Sequence, residues 1–490
     1  MKKNSLNEND KKSNDSNEDK CQLKKEITLI NGIGIVIGSM IGSGIFISPT
    51  GVYLKAGSSG AALVIWMLCG VFSMIGAYCY IELGCIIKRS SGDYAYIYQA
   101  FGPFLAFVRL WIDVIVTRPC CIAIVSLTFA EYILEPMFLN CVQPIMARRC
   151  LAASCILLLT FINCWSVKAS TRVQDIFTFA KLLALVIVIL TGVVKLCMGF
   201  TSNWESPFSD TNTDIGQLTM GFYNGLFAYC GWNYLNCMME EMKNPVKDLP
   251  KAVLISCSIV TVVYMLANVS YFTILSPIEI KLTNAVAVRI GLDNFSVMWW
   301  VIPMFVSMST FGGVNGIIMT TSRMFLVAAQ SDQMPASLAM ISTSLSTPIP
   351  SVIFVSLVSM VYLVYPDMYV LMNYVGFVTW LTFAFAILAL LYFRFSKKYQ
   401  KLERPFTVHL IFPIVYLLVS AFIIVFAFVG GFYESMMGTI IMLTAVPVYL
   451  IGVKWKKPKS FNRKLGDFTK FVQKLFIVVA TEPDESLKLS

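Results

Sequence analysis

Two short runs of glycine and small residues interrupt stretches that are otherwise apolar: Gly38-Ser39-Met40-Ile41-Gly42-Ser43-Gly44-Ile45-Phe46 and Gly225-Leu226-Phe227-Ala228-Tyr229-Cys230-Gly231-Trp232-Asn233. Where a helix unwinds at such a run, backbone N–H and C=O groups lose their partners, and the N–H groups become donors for an anionic ligand. The competing reading is close helix packing, since Gly34, Gly38 and Gly42 recur every four residues. Two cations also stand deep in apolar sequence. Lys181 lies within Phe177-Thr178-Phe179-Ala180-Lys181-Leu182-Leu183-Ala184, and Arg118 within Val116-Thr117-Arg118-Pro119, five residues after Asp113. Ionisable side chains at such depth either serve a ligand path or tie helices together. His409 is the only histidine, and no paired carboxylates or Cys/His clusters fall at ligand spacing. The chain is therefore expected to be neither an enzyme nor a metalloprotein, and no cofactor is expected.

These residues need elements to hold them, and composition says which. Of 490 residues, 57% are hydrophobic and 13% charged, with a mean hydropathy of +0.71, against roughly 45–50% and about 25% in soluble proteins. Lipid is the natural solvent, which excludes soluble enzymes, secreted disulfide scaffolds and disordered regulators. Apolar runs predict spans near 28–53, 61–84, 98–133, 150–166, 172–197, 216–243, 249–275, 296–328, 348–365, 368–393, 406–429 and 435–453, about twelve transmembrane helices in an all-α membrane protein. The glycine breaks fall in spans one and six, corresponding places in two five-span halves, as in an inverted repeat.

The net charge of +10 is concentrated in three segments. Residues 1–26 hold seven basic and six acidic residues, 394–404 five basic against Glu403, and 454–474 eight basic against Asp467. By the positive-inside rule these segments face the cytosol, so the number of spans is even and both termini are cytoplasmic. No soluble groove is left for nucleic acid. Residues 1–26 lack the apolar core of a signal peptide and read as a disordered cytoplasmic tail. Residues 27–455 form the membrane core, and 456–490 a cytoplasmic tail whose stretch 461–479 alternates basic and apolar residues as a membrane-surface helix does. The fourteen cysteines lie mostly in apolar runs and imply no disulfide framework.

At Ile41-Gly42-Ser43-Gly44-Ile45-Phe46-Ile47-Ser48-Pro49, at Phe227-Ala228-Tyr229-Cys230-Gly231-Trp232-Asn233-Tyr234-Leu235-Asn236 followed by Glu240-Glu241, and at Asn244-Pro245, the chain resembles the amino acid–polyamine–organocation superfamily. Within it, the chain is most similar to the light-chain subunits of the heteromeric (L-type, cystine/glutamate and b(0,+)-like) amino acid transporters, over about residues 22–480. The resemblance implies a LeuT-type fold, a 5+5 inverted repeat with broken helices 1 and 6 plus two further helices. It also implies sodium-independent amino acid exchange by alternating access at the plasma membrane, in a heterodimer with a single-span heavy-chain glycoprotein.

On that reading, N–H groups of Gly42, Ser43 and Gly44 hold the substrate carboxylate, helped by the positive end of the half-helix that follows. Carbonyls around Ile41 and Phe227 accept from the ammonium. Phe227 matches an aromatic gate, and Cys230, Gly231 and Asn233 belong to the second break's share of the site. Lys181 matches a fifth-span lysine set against the unwound first span, where its ammonium stands in for a sodium ion; a structural strut to a carbonyl is the alternative. Arg118 matches an Arg-Pro pair implicated near the anionic side chain in the cystine/glutamate exchanger; a buried pair with Asp113 is the alternative. Two departures point to a neutral substrate. Val378 stands where the cystine/glutamate exchanger has a second arginine, and Cys230 where the b(0,+)-type member has an aspartate. A pocket without fixed charge rewards apolar area, favouring large or aromatic side chains. The runner-up is a cystine/glutamate-like or dibasic exchanger. Cys141, in the predicted outer loop 134–149, matches the cysteine disulfide-linked to the heavy chain, with Cys150 a nearby competitor. Asn294-Phe295-Ser296 is an outer-loop sequon close to the membrane. Asn315, among Gly312, Gly313 and Gly316, marks either a close helix contact or a polar lining of the pathway.

Overall fold

The computed structural model describes residues 27–480, apart from 88–91, 139–140, 142, 283–285, 295–297, 331–332, 346, 366, 400–403 and 456–457. The expected tail 1–26 lies outside the described residues. Helices α1 (Leu29–Met40) and α2 (Gly44–Ala56) are two halves of one span, bent by 48°. The chain leaves α1 through an extended Ile41 and leaves α2 through Gly57, whose φ of +82° suits glycine. Helix α3 (Ser59–Ile86) is capped by the Ser58 hydroxyl, which accepts from the Ala61 N–H.

The stretch expected as a single span over 98–133 is four pieces: the end of α4 (Gly92–Phe101), α5 (Pro103–Ile112), a π-helical turn at Asp113–Thr117, and α6 (Arg118–Leu134). Gly102, at φ +89°, and Pro103 make the first corner. Pro119 explains the second. It has no N–H to offer the Ile115 carbonyl one turn back, and that carbonyl instead accepts from the Tyr362 hydroxyl at 2.7 Å.

Helices α7 (Ile145–Trp165), α8 (Val167–Cys197) and α9 (Ile215–Ala228) follow. The sixth span does not continue as an α-helix to 243; beyond the break it is 3₁₀-helical over Tyr234–Glu241. Next come α10 (Pro245–Ile274), the short α11 (Pro277–Leu282) and α12 (Val286–Asn294), α13 (Val301–Gln330), α14 (Ile349–Tyr362), α15 (Met368–Phe395) and α16 (Ile411–Gly430). Helices α17 (Phe432–Leu443) and α18 (Ala445–Tyr449) run into a π turn ending at Lys454. Beyond the membrane core lies α19 (Lys459–Phe476). Strands β1 (Met340–Ser342) and β2 (Val478–Ala480) pair antiparallel.

Among the described residues, nine helices are long and apolar enough to cross a membrane, ten if α1 and α2 count as one bent span. The other two of the twelve expected segments, α9 and α14, have 14 residues each, or about 21 Å, short of a hydrocarbon core of about 30 Å. Helices α16 and α17 turn Leu418, Phe422, Val425, Val429 and Ile440 outward, the exposed apolar surface that lipid requires. The protein is an all-α, multi-pass membrane protein.

Two apolar cores meet around the first break. One joins α1, α3, α9, α10, α15 and α16 through Trp66, Tyr229, Trp232, Tyr264 and Trp380; the other joins α6, α7, α13 and α14. Asn315 is a close polar contact. Its Nδ2 donates to the Ser170 carbonyl at 2.9 Å, and its Oδ1 accepts from Asn163 at 2.9 Å, tying α13 to α7 and α8.

Candidate substrate site at the helix breaks

Helix α1 ends at Met40 and α2 begins at Gly44, so the last carbonyls of one and the first N–H groups of the other surround the same gap. Of the N–H groups in the first turn of α2, that of Phe46 donates to the Ser43 carbonyl at 3.0 Å. The gap carries roughly half a negative charge from one helix end and half a positive charge from the other. That pair of partial charges complements a zwitterion.

The second break begins after Ala228 and lies against the first. A Cβ on Gly44 would come 2.6 Å from the Ala228 Cα, and one on Gly231 would come 2.8 Å from the Ser39 carbonyl oxygen. Gly231 also holds φ at +115°, which L side chains rarely adopt. A Cβ at Gly34 or Gly38 would meet nothing within 4 Å, so the four-residue glycine face is not a close-contact seam; at Gly44 and Gly231 packing and unwinding are one feature, because these two let the unwound segments touch. Gly42 differs: nothing but the Met40 carbonyl, at 3.9 Å, would meet a Cβ there.

Ile41 and Ser43 are buried, while Phe227 and Cys230 are half-buried. Phe227 packs on the core built around Ile47 and Cys120. The Cys230 thiol points to the Leu226 carbonyl at 3.5 Å, and the Asn233 carbonyl accepts from the Asn236 N–H at 3.2 Å.

Each deep cation holds one break. Lys181 Nζ, on α8, donates to the Gly38 carbonyl at 2.7 Å, where the negative end of α1 favours a positive charge. Arg118, at the start of α6, donates to the Tyr234 hydroxyl at 3.0 Å and lies 5.5 Å from the centre of that ring, just past the second break. The suggested Arg118–Asp113 pair is not formed. Asp113 is turned to Arg109, one helical turn back, at 2.5 Å, while Arg118 bonds Tyr234. Val378 is buried and packs on Gly438 of α17. Cys141 and Cys150 are both exposed free thiols, remote in sequence from the breaks. The side chains of Glu240 and Glu241 lie outside what is described, as do Phe295 and Ser296 of the sequon.

A cavity of about 530 Å³ lies beside the breaks and not in them, between α6, α8 and α13, with walls that include Phe129, Tyr132, Phe177, Met304 and Phe311. Its Tyr132 hydroxyl donates to the Phe46 carbonyl of α2 at 2.9 Å. The chemistry of the breaks is backbone chemistry, so the candidate site is identified by the opposed helix ends and not by this cavity. Among the described residues, no group of three or more His, Cys, Asp or Glu could hold a metal ion.

The profile of amino acid permeases matches residues 27–453. The chain belongs to the amino acid permease family. It is 45% identical over 468 residues to the rat "Large neutral amino acids transporter small subunit 2", covering 95% of this chain and 87% of that one. The mouse "Asc-type amino acid transporter 1" is 41% identical over 471 residues, 94% of this chain and 87% of its own. The human "Cystine/glutamate transporter" is 40% identical over 469 residues, 95% and 93% respectively.

This permease also uses residues that sequence reasoning passed over. Tyr264 of α10 is fully buried, and its hydroxyl lies 2.6 Å from the Met40 carbonyl and 3.0 Å from that of Ala228. Its one proton serves one carbonyl at a time, so it links the ends of α1 and α9 directly. The available signal was a tyrosine in an apolar span, whose hydroxyl must find a partner. Charge is also buried more widely than Lys181, Arg118 and Asp113. Arg109 bonds Asp93 at 3.2 Å as well as Asp113, and wholly buried Glu82 of α3 accepts from Arg394 Nε of α15 at 3.0 Å and from the Val408 N–H at 2.8 Å.

Proposed function

We infer that this permease is a sodium-independent exchanger of neutral, large or aromatic L-amino acids, working by alternating access. The observation that carries the reading is the junction of opposed helix ends at 40–44, which offers acceptors to an ammonium and donors to a carboxylate. Lys181 on the Gly38 carbonyl supports sodium independence, since a fixed ammonium already neutralises that helix end. A neutral side chain is favoured because Cys230 and Val378 bring no charge, and because the relatives include a protein named for large neutral amino acids. Such a protein is a transporter and not an enzyme.

The relative's name as a small subunit supports a heavy-chain partner, and exposed Cys141 is the proposed attachment point. The proposed setting is the plasma membrane with both termini cytoplasmic, residues 1–26 and 456–490 forming tails around the 27–455 core. The second reading, exchange of an acidic or dibasic amino acid, is favoured only by Arg118 near the second break and by the likeness to a cystine/glutamate transporter.

The test is co-expression with each candidate heavy chain, followed by efflux of a preloaded labelled amino acid against unlabelled tyrosine, glutamate or arginine. Tyrosine is expected to drive efflux, whereas efflux driven by glutamate or arginine alone would select the second reading. Non-reducing electrophoresis should lose the linked band in Cys141→Ser and keep it in Cys150→Ser; the reverse would move the attachment to Cys150.

A further inference from the structure

The last span ends at Lys454, and α19 starts five residues later. Five residues reach at most about 18 Å, so α19 begins at the membrane surface. Among its described residues Val472 alone is buried. Val472 packs with Met340 and Val478, and the helix rests on the segment 336–338 and on α14. Phe468, Phe471 and Leu475 remain 54%, 58% and 58% exposed, on one face at helical spacing. Arg463, Lys464, Lys470 and Lys474 are exposed beside them, against a single acid, Asp467. Aromatic and aliphatic residues flanked by cations fit one occupant, a bilayer surface bearing anionic lipid.

The helix is also wired to the core. The chain turns at Ile477, φ +51°, and β2 then pairs with β1 in register Met340↔Ala480, Ile341↔Val479 and Ser342↔Val478. Strand β1 belongs to the connector between α13 and α14, whose Thr347 hydroxyl donates to the Cys164 carbonyl of α7 at 2.8 Å and whose Leu338 carbonyl accepts from Ser351 of α14 at 2.9 Å. We propose that α19 binds anionic lipid through Phe468, Phe471, Leu475 and their basic flank, and through the β2–β1 pairing holds the α13–α14 connector at the membrane surface. The proposal does not rest on the choice of substrate.

The experiment is amide hydrogen exchange on the full chain in nanodiscs of phosphatidylcholine alone or with about 30% phosphatidylserine. Exchange over 463–476 and over 338–343 should slow together in the anionic discs, by about tenfold or more. Lys470→Gln/Lys474→Gln should remove most of that difference, at about fivefold per charge. Val479→Pro, which breaks the strand pairing at an exposed position, should release 338–343 while 463–476 keeps its lipid dependence. Equal exchange of 463–476 in the two discs would overturn the lipid site. Protection of 338–343 that survives Val479→Pro would overturn the coupling.

Discussion

At the residue scale, a few side chains hold the unwound backbone in place. Lys181 was visible in the sequence as a charge too deep to reach water, and its bond to the Gly38 carbonyl specifies what it holds. Lys181→Met leaves a carbonyl at a negative helix end without its charged donor, at a cost of about 1.5–3 kcal/mol. Exchange by that variant should fall at least tenfold at matched surface abundance, with Lys181→Arg recovering part of it; full activity in Lys181→Met would leave the lysine a bystander. Tyr264 could not be picked out among the other tyrosines, because its role depends on two chain segments that meet only in the fold. Tyr264→Phe keeps the ring and removes the donor shared by Met40 and Ala228. We expect a lower thermal midpoint in detergent, corresponding to about 1–3 kcal/mol, and slower exchange; an unchanged midpoint would contradict the bridging role.

At the element scale, both breaks were legible because glycine clusters have no other use in an apolar span than packing or unwinding. The structure separates these uses by position. Gly44→Ala drives a Cβ to 2.6 Å from the Ala228 backbone, so α2 and α9 must part, and surface abundance and thermal stability should both drop. Gly42→Ala has room for its Cβ, so the protein should fold normally and lose exchange only through crowding of the proposed carboxylate site. A Gly42→Ala protein with normal exchange would remove that residue from the site. What the sequence hid was the shape of the third span and of the far half of the sixth. Pro119 reads as an ordinary helix breaker, and only Tyr362, more than 200 residues on, explains why the π turn at 113–117 is tolerated. Past Gly231 apolar residues such as Trp232, Leu235, Met238 and Met239 invited a helix to 243, but the chain tightens into 3₁₀ turns that bring Tyr234 to Arg118.

At the scale of the whole molecule, the excess of positive charge orients the chain in the proposed topology, yet part of that charge is not free. Arg394, counted among the cytoplasmic cations, is bonded to buried Glu82 and so joins α15 to α3 across the bundle. Arg394→Met strands the carboxylate and should cost about 3–5 kcal/mol, read as loss of folded protein in size-exclusion profiles; removing both charges in Glu82→Gln/Arg394→Met should restore much of it. A single variant as stable as the parent would show that the pair is dispensable. Long-range pairings of this kind leave no trace in composition, whereas the membrane class, the two breaks and the family did. The central claim is that opposed helix ends and a fixed ammonium make a sodium-free exchanger of zwitterions with neutral side chains. Its most direct test is efflux of labelled tyrosine from sodium-free proteoliposomes holding the purified protein with the proposed heavy chain. Negligible efflux into amino-acid-free buffer is expected, and rapid efflux once a neutral amino acid is added outside; efflux that ignores external amino acid, or that waits for sodium, would rule such an exchanger out.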